Sequence, residues 1–403
     1  MKRYCKNINL YDDDFLTWCV TDCLKRKWKR RDVISYFSHL CSRPHKDILR
    51  EIREGGKDAL IAAAVARVKR QLIARKLQFI PIWHKEKVDA SNHKVRRIGI
   101  QHISQQLFDY VAVYGMHDLC RRIGEYQCAC IPGRGPLYGV RRVKKWLREK
   151  DVKYVVQLDV KKCFPSVPQD RLLAYIDRYI ANDDLKWLIH ELVGTFDSGL
   201  SIGSYLSQYL CNLYLSQLYH EVSERMYYER RGKRIRCVKH VLFYADDILL
   251  LGTNLKAMYS AVKRIIAMAK DDLGLTIKPN WSVRRLSGGD FIDTMGFRVY
   301  SDHITLGRRV FLRVRRAYKK PLKRSAKLTV YRSQKCISYL GSITNADLYR
   351  FAKRYKVYRT ARKAKGVVSN AGRIRCRAAP GAGGAKRKDN PCFHRASRRV
   401  ENA

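Results

Sequence analysis

Asp159 closes one apolar run, YVVQLD, and Asp246 and Asp247 interrupt another, VLFYADDILLLG. A carboxylate at the end of a buried strand is costly unless a cation compensates it. Hard oxygen donors of this kind suit Mg²⁺, which keeps several waters and takes its remaining ligands from substrate phosphates. Two such ions about 4 Å apart clamp the attacking and leaving oxygens of an in-line phosphoryl displacement. By itself the Asp–Asp pair is an ordinary hairpin turn, where Asp is common. The chemistry depends on whether a neighbouring strand brings Asp159 beside it.

The surrounding periodicities supply the elements that would do so. YVVQLDV is a buried-strand pattern, and VLFYADDILLLG reads as strand, tight polar turn, strand. Between them, RLLAYIDRYI and DLKWLIHELV are amphipathic helices. The Gly-rich turn SGLSIGSYLSQ opens a long apolar helix expected to end near Tyr228, and AMYSAVKRIIAMAKDDLG is a helix stopped by Gly274. The order β-α-β-β-α-β predicts an α+β fold, a split βαβ sheet with helices on one face. Upstream, DDDFLTWCVTDCL and DALIAAAVARVKRQLIARKL carry apolar residues at helical spacing. FIPIWHKEKV and KVRRIGI alternate like short strands, and HISQQLFDYVAVYGMHDLC reads as a helix. IPGRGPLYG reads as a loop before the basic helix VRRVKKWLREK.

Composition restricts the partner. The 403 residues hold 83 Lys+Arg against 36 Asp+Glu, a formal charge of +47, with 46% hydrophobic residues. That much apolar material excludes a wholly disordered chain. A surface so basic repels itself unless a polyanion neutralises it, so nucleic acid is the expected partner and an anionic membrane the weaker choice. No apolar run approaches the ~20 residues of a membrane span, and MKRYCKNINLYDDDF lacks a secretory stretch, so a soluble intracellular protein is expected. The 13 cysteines are an odd number and scattered. Cys19, Cys23, His39 and Cys41, and Cys376, Cys392 and His394, are the two groupings of zinc-ligand residue types. Neither has paired C-x2-C spacing, so buried small hydrophobes plus a few exposed thiols are expected instead.

The motifs form a series. LDVKKCFPSV, SGLSIGSYLSQ, YADD, LGLTIKP and FIDTMGFRV follow one another, preceded by KVRRIGI and EYQCACIPGRG. In this order and spacing, over roughly residues 76 to 303, the sequence resembles the reverse transcriptases. YADD alone is a weak signal; the whole series is highly specific. The resemblance implies a right-hand polymerase with a split βαβ palm, fingers and a helical thumb. It implies RNA-directed DNA synthesis with two Mg²⁺ ions, Mn²⁺ being able to substitute. Asp159 and Asp246 would be metal ligands with the Val160 carbonyl, and Asp247 an auxiliary ligand near the primer end. Phe164 would crowd a ribose 2′-OH and so select dNTPs, although its spacing suits core packing nearly as well. Gln208 would touch the nascent base pair. Lys94 and Arg96 would hold the incoming triphosphate, and Lys278 would sit near the leaving pyrophosphate as a proton donor. Gly203, Ser207, Tyr244, Gly296 and Phe297 would contact primer or template.

The subtype rests on smaller features. IGSYLSQ departs from the Gln-Gly and Ser-Pro of group II intron enzymes and resembles the diversity-generating retroelement type, as does ISYLGSITNADLY more weakly. That likeness implies a cytoplasmic, bacterial or phage-encoded enzyme that copies a template RNA into an RNA/DNA duplex with a small basic accessory protein and no membrane. A retron or group II intron enzyme is the alternative. An RNA-dependent RNA polymerase is disfavoured by Phe164 and YADD, and a catalytically inactive RNA-binding protein by the three intact aspartates. The expected organisation is an N-terminal helical extension over 1–75, fingers over 76–150, palm over 151–303, thumb over 304–369 and a basic disordered tail over 370–403. From Ile304 onward there are 29 Lys/Arg against 3 Asp/Glu. Tyrosines such as Tyr331, Tyr339 and Tyr358 are interleaved with these charges; most are expected to pack the thumb's own helices.

Overall fold

The computed structural model describes residues 2–88, 95–319 and 328–377, with side chains of the last helix described as far as residue 371. Its strands, in chain order, are β1 (Trp83–Val88), β2 (Val95–Ile100), β3 (Gln127–Cys128), β4 (Tyr154–Asp159), β5 (Tyr227–Arg230), β6 (Lys233–Arg236), β7 (His240–Tyr244), β8 (Asp247–Gly252), β9 (Arg284–Arg285), β10 (Ile292–Thr294), β11 (Phe297–Val299) and β12 (Ile304–Leu306). Five of them build a central sheet in the order β3-β7-β8-β4-β9. β3 joins β7 in parallel; the other pairs are antiparallel. β7 and β8 carry unbroken apolar runs, and Val241 to Phe243 and Ile248 to Leu251 are all buried, as strands covered on both faces require.

The helix Tyr205–His220 is buried on nearly every side, the mark of a helix enclosed by core. It packs against helices Gln169–Tyr179, Leu255–Asp271 and Ile103–Gly115. The last of these also contacts Asp13–Leu24 and Arg31–Leu40, so the N-terminal helices share one hydrophobic core with the central sheet. Truncating a fully buried leucine there, such as Leu213, would cost about 2–5 kcal/mol. The chain divides into two compact units, Met1–Gly307 and a second beginning at Arg308. The described helices of the second are Arg308–Lys319, Val330–Thr344, Tyr349–Arg354 and Val357–Arg377.

Three local differences from the sequence reading have physical causes. The loop IPGRGPLYG is shorter than expected, because Pro136 starts the helix Pro136–Trp146; proline's fixed φ suits a first helical turn and its missing N–H costs nothing there. The long apolar helix ends at His220, and one wider turn carries the chain to Arg225. Tyr228 instead lies in the β5–β6 hairpin, whose Arg231–Gly232 turn has positive φ at both residues, the geometry that closes a two-residue hairpin. The final helix continues to Arg377, through the start of the segment expected to be a disordered tail; residues 378–403 lie outside the described residues. Cys19 and Cys23 are core residues, and burial pushes both thiols up to about 12. Cys392 and His394, and the side chain of Cys376, lie outside what is described.

Candidate active site

Strand register decides whether the three aspartates meet. β4 runs antiparallel to β8 with Asp159 facing Asp247, and β7 faces β8 with Tyr244 opposite Asp247. Ala245 and Asp246 are therefore the two residues of the hairpin turn. Ala245 takes a left-handed φ of 52°, a position that favours glycine and stores strain in any other residue. The Asp246 carbonyl accepts from Val160 N at 3.0 Å, and the Asp159 carbonyl accepts from Lys278 N at 2.9 Å. The end of β4 is thus held from both sides, by the turn and by the segment carrying Lys278.

The electrostatics follow from that crowding. The Lys278 ammonium is paired with Asp159 Oδ1. That oxygen is out of water, so the ammonium is what compensates its charge. Burial, then the Asp159 charge, raises the Asp246 pKa, opposed by Lys278 and Arg96. Burial, then the charges of Asp246 and Asp159, pushes Asp247 up to about 6. Asp247 as a residue is exposed at the end of its strand, with both other carboxylates beside it. Among the described residues no three His, Cys, Asp or Glu side chains close around a point as a self-sufficient metal cage. Mg²⁺ needs none, since it is held by one or two carboxylates with waters and substrate phosphates. Asp159, Asp246 and the Val160 carbonyl are hard oxygen donors of that kind, and a donor set of two carboxylates and a carbonyl fits such an ion.

Arg96 lies on β2, paired with Lys87 of β1, and its charge reaches Asp246. Arg97 fastens the same hairpin to Asp197 at 2.9 Å. Lys94 lies outside the described residues. β2 is set against the Gly-rich turn by a close backbone crossing: Gly99 N donates to the Ile202 carbonyl at 2.8 Å. A Cβ on Gly203, whose φ is +120°, would fall 2.3 Å from the Gly99 carbonyl oxygen. Gly203 thus acts through backbone approach. Ser207 is buried, its N–H donating to the Ser204 hydroxyl that caps the helix. Gln208, one position on, is half-buried and faces the β2 side. Phe164 is half-buried against the core, and its carbonyl accepts from Leu200 N at 2.8 Å.

A second hairpin, β10–β11, turns at Met295 and Gly296, both with positive φ. Gln157 Nε2 donates to the Asp293 carbonyl at 2.9 Å. A small cavity of about 210 Å³ separates Asp247 from Asp293, Thr294 and Met295. Phe297 is buried, so its side chain supports the hairpin from inside, while Gly296 is at the turn.

Sequence reasoning missed Asp109. It is fully buried, and its Oδ2 accepts from the Ser204 hydroxyl at 2.8 Å and from Leu206 N at 3.4 Å. It therefore anchors the start of the helix that carries Gln208. Burial pushes its carboxyl up to about 6, against the hydrogen bond from Ser204. The available signal was a lone acid inside the otherwise apolar stretch LFDYVAVYG.

Residues 84–343 match the family profile described as reverse transcriptase (RNA-dependent DNA polymerase). Similar solved structures include an apo telomerase from Candida tropicalis truncated from the C-terminal domain, 12% identical with a TM-score of 0.41, covering 57% of this chain and 55% of that one. Another is the Candida albicans telomerase in complex with a TWJ fragment of telomeric RNA, 11% identical with a TM-score of 0.39, covering 72% of this chain and 61% of that one. The chain spans less than two thirds of the length of either. No curated protein matches the sequence significantly.

Proposed function

The chain belongs to the reverse transcriptase (RNA-dependent DNA polymerase) family, and from that premise we propose that it extends a DNA primer along an RNA template by two-metal nucleotidyl transfer. The observation that carries this reading is the register facing Asp159 with Asp247 across the sheet, with Asp246 at the turn between β7 and β8. Asp159, Asp246 and the Val160 carbonyl would hold divalent ions, Mg²⁺ in the first instance, with Asp247 auxiliary. When bound, such ions draw charge from the triphosphate and make the primer 3′-OH a better nucleophile.

The chain's own residues do the rest. Arg96, and Lys94 with it, would bind the triphosphate of a dNTP. Lys278, paired with Asp159, would sit near the leaving pyrophosphate and donate a proton to it. Phe164 would close the space a 2′-OH needs. Gln208, on the helix whose start Asp109 anchors, would position the base pair, and the β10–β11 turn at Gly296 would support the primer end beside Tyr244. Positioning and charge neutralisation supply most of the acceleration in such reactions. We assign fingers to 76–150, palm to 151–303 and thumb to 304–369. The IGSYLSQ form supports the diversity-generating retroelement subtype, with a small basic accessory protein as partner.

Offering dNTPs or NTPs on a primed RNA template, with Mg²⁺ and then with EDTA, tests the reading. Extension by dNTPs that stops on chelation is expected. Equal use of NTPs would remove Phe164 from its assigned role, and extension in EDTA would remove the metal mechanism.

A further inference from the structure

The β5–β6 hairpin has no part in the proposed reaction. Arg230, Arg231, Lys233, Arg234 and Arg236 are all exposed on it, against one acid, Glu229. Among the described residues none of the five is in an ion pair, and the acids of the preceding turn are already engaged: Glu221 lies 2.9 Å from Arg264 and 3.9 Å from Arg225, and Glu224 lies 2.6 Å from His220. Arg230 stands directly opposite Lys233 across the Arg231–Gly232 turn, and like charges so placed destabilise a strand pair. A two-stranded hairpin is marginal on its own, so folding alone gives no reason for such a tip. Tyr228 packs against the hydrophobic core and fixes the base. The chain then enters β7 at His240, the end away from the Tyr244–Asp246 turn, with about 13 Å of strand between the two ends.

We propose that this hairpin is a separate nucleic-acid contact, which grips the phosphate backbone of double-stranded RNA outside the catalytic site. The choice of RNA rests on the polymerase reading; the phosphate chemistry rests on the hairpin itself. Cations on both strands of a narrow ribbon match rows of phosphates, and each contact releases counterions. A polyanion at the tip also neutralises the opposed Arg230 and Lys233. The rings at the base are not free to stack on nucleobases: the Arg234 guanidinium lies 4.2 Å from the centroid of the Tyr227 ring, and Tyr228 is against the core. That removes the aromatic platform on which unpaired strands depend. It leaves backbone and shape, the features by which duplex RNA is recognised. No large apolar side chain is exposed on the hairpin, so it has nothing to bury in a membrane surface. Because the catalytic turn is at the other end of β7, the bound helix is a part of the RNA that is not being copied.

The test follows a labelled blunt RNA duplex of about 20 base pairs by fluorescence anisotropy, with the protein already saturated by an unlabelled primer–template. Wild type is compared with a neutral variant, Arg230→Gln, Arg231→Gln and Lys233→Gln combined, and with Arg230→Lys plus Arg231→Lys, which keeps the charge. Thermal melting checks that both variants fold. Wild type should bind the labelled duplex. The neutral variant should bind it at least about tenfold more weakly, with a salt slope shallower by about 2 to 3, and the lysine variant should bind it as wild type does. Incorporation of a single nucleotide should be equal in all three. A neutral variant that keeps wild-type affinity for the labelled duplex overturns the proposal. So does one that loses incorporation in parallel, which would make the hairpin part of the primer–template site. A DNA duplex of the same sequence held as tightly as the RNA, or hairpin-dependent binding to phosphatidylserine vesicles in preference to RNA, overturns the choice of partner. A wild type that incorporates no nucleotide, yet binds duplex RNA that the neutral variant does not, retains the contact and discards the polymerase reading.

Discussion

The acidic corner of the central sheet and the basic groove beside the β1–β2 hairpin solve opposite problems. The corner gathers three like charges beside apolar strands, and it can do so only because β4, β7 and β8 are fixed in register with one another by buried runs. The groove carries Lys27, Arg30 and Arg31 near the surface, where charges are partly screened by water and no single one is indispensable. Function that depends on geometry should therefore fail abruptly on substitution. Function that depends on charge should weaken by degrees.

The sharpest break in that comparison is Asp159→Asn. It should lower nucleotide incorporation by about 10²–10³-fold or more and leave the protein folded, since loss of the Lys278 ion pair is offset by relief of one of three crowded charges. Arg96→Ala, read in the same steady-state assay, should cost only about tenfold. Similar losses for both would mean that the corner is no more geometric than the surface. Next in size is Gly203→Ala. The new Cβ meets the Gly99 carbonyl oxygen at 2.3 Å in a left-handed backbone, so about 2–3 kcal/mol of stability should be lost in urea unfolding.

Asp109 extends the comparison to pH. Its carboxyl is raised from 3.8 to about 6 by burial, so its favourable contribution is complete below about pH 4 and lost as pH rises through 6. Relative to Asp109→Asn, wild type should therefore lose on the order of 2 kcal/mol between pH 4 and 7, measured as the shift in denaturant midpoint. Parallel pH profiles for the two proteins would show that Asp109 is not raised. The smallest effect expected is Ala245→Gly. It relieves the positive φ at the turn and should add no more than about 1 kcal/mol, because glycine also loosens the unfolded chain.

How much was legible beforehand follows the same division. The strands of the corner could be read from YVVQLD and VLFYADDILLLG because buried strands leave unbroken apolar runs, and the Gly-rich turn announced itself by composition. The ion pair of Lys278 with Asp159 could not be read, because it depends on an isolated bridge between Val160 and Ile277 that no periodicity encodes. The β5–β6 hairpin was hidden by its charge: MYYERRGKRIR alternates too weakly to separate it from the apolar helix before it. Asp109 stood out only as a lone acid in an apolar stretch, and its role was hidden for a different reason. A buried acid is identified by the hydroxyl and amide that satisfy it, and Ser204 and Leu206 lie 95 and 97 positions away. The groove was likewise unreadable, since Arg31, Trp83 and Gln208 converge only once the N-terminal helices join the common core.

The most direct test of the central claim is single-turnover incorporation of one dNTP on a primed RNA template by wild type and Asp246→Asn, with circular dichroism confirming that both fold. Extension by wild type in Mg²⁺, and its loss in the variant at every Mg²⁺ concentration, is the predicted result. A folded Asp246→Asn protein that extends the primer at the wild-type rate would contradict the account.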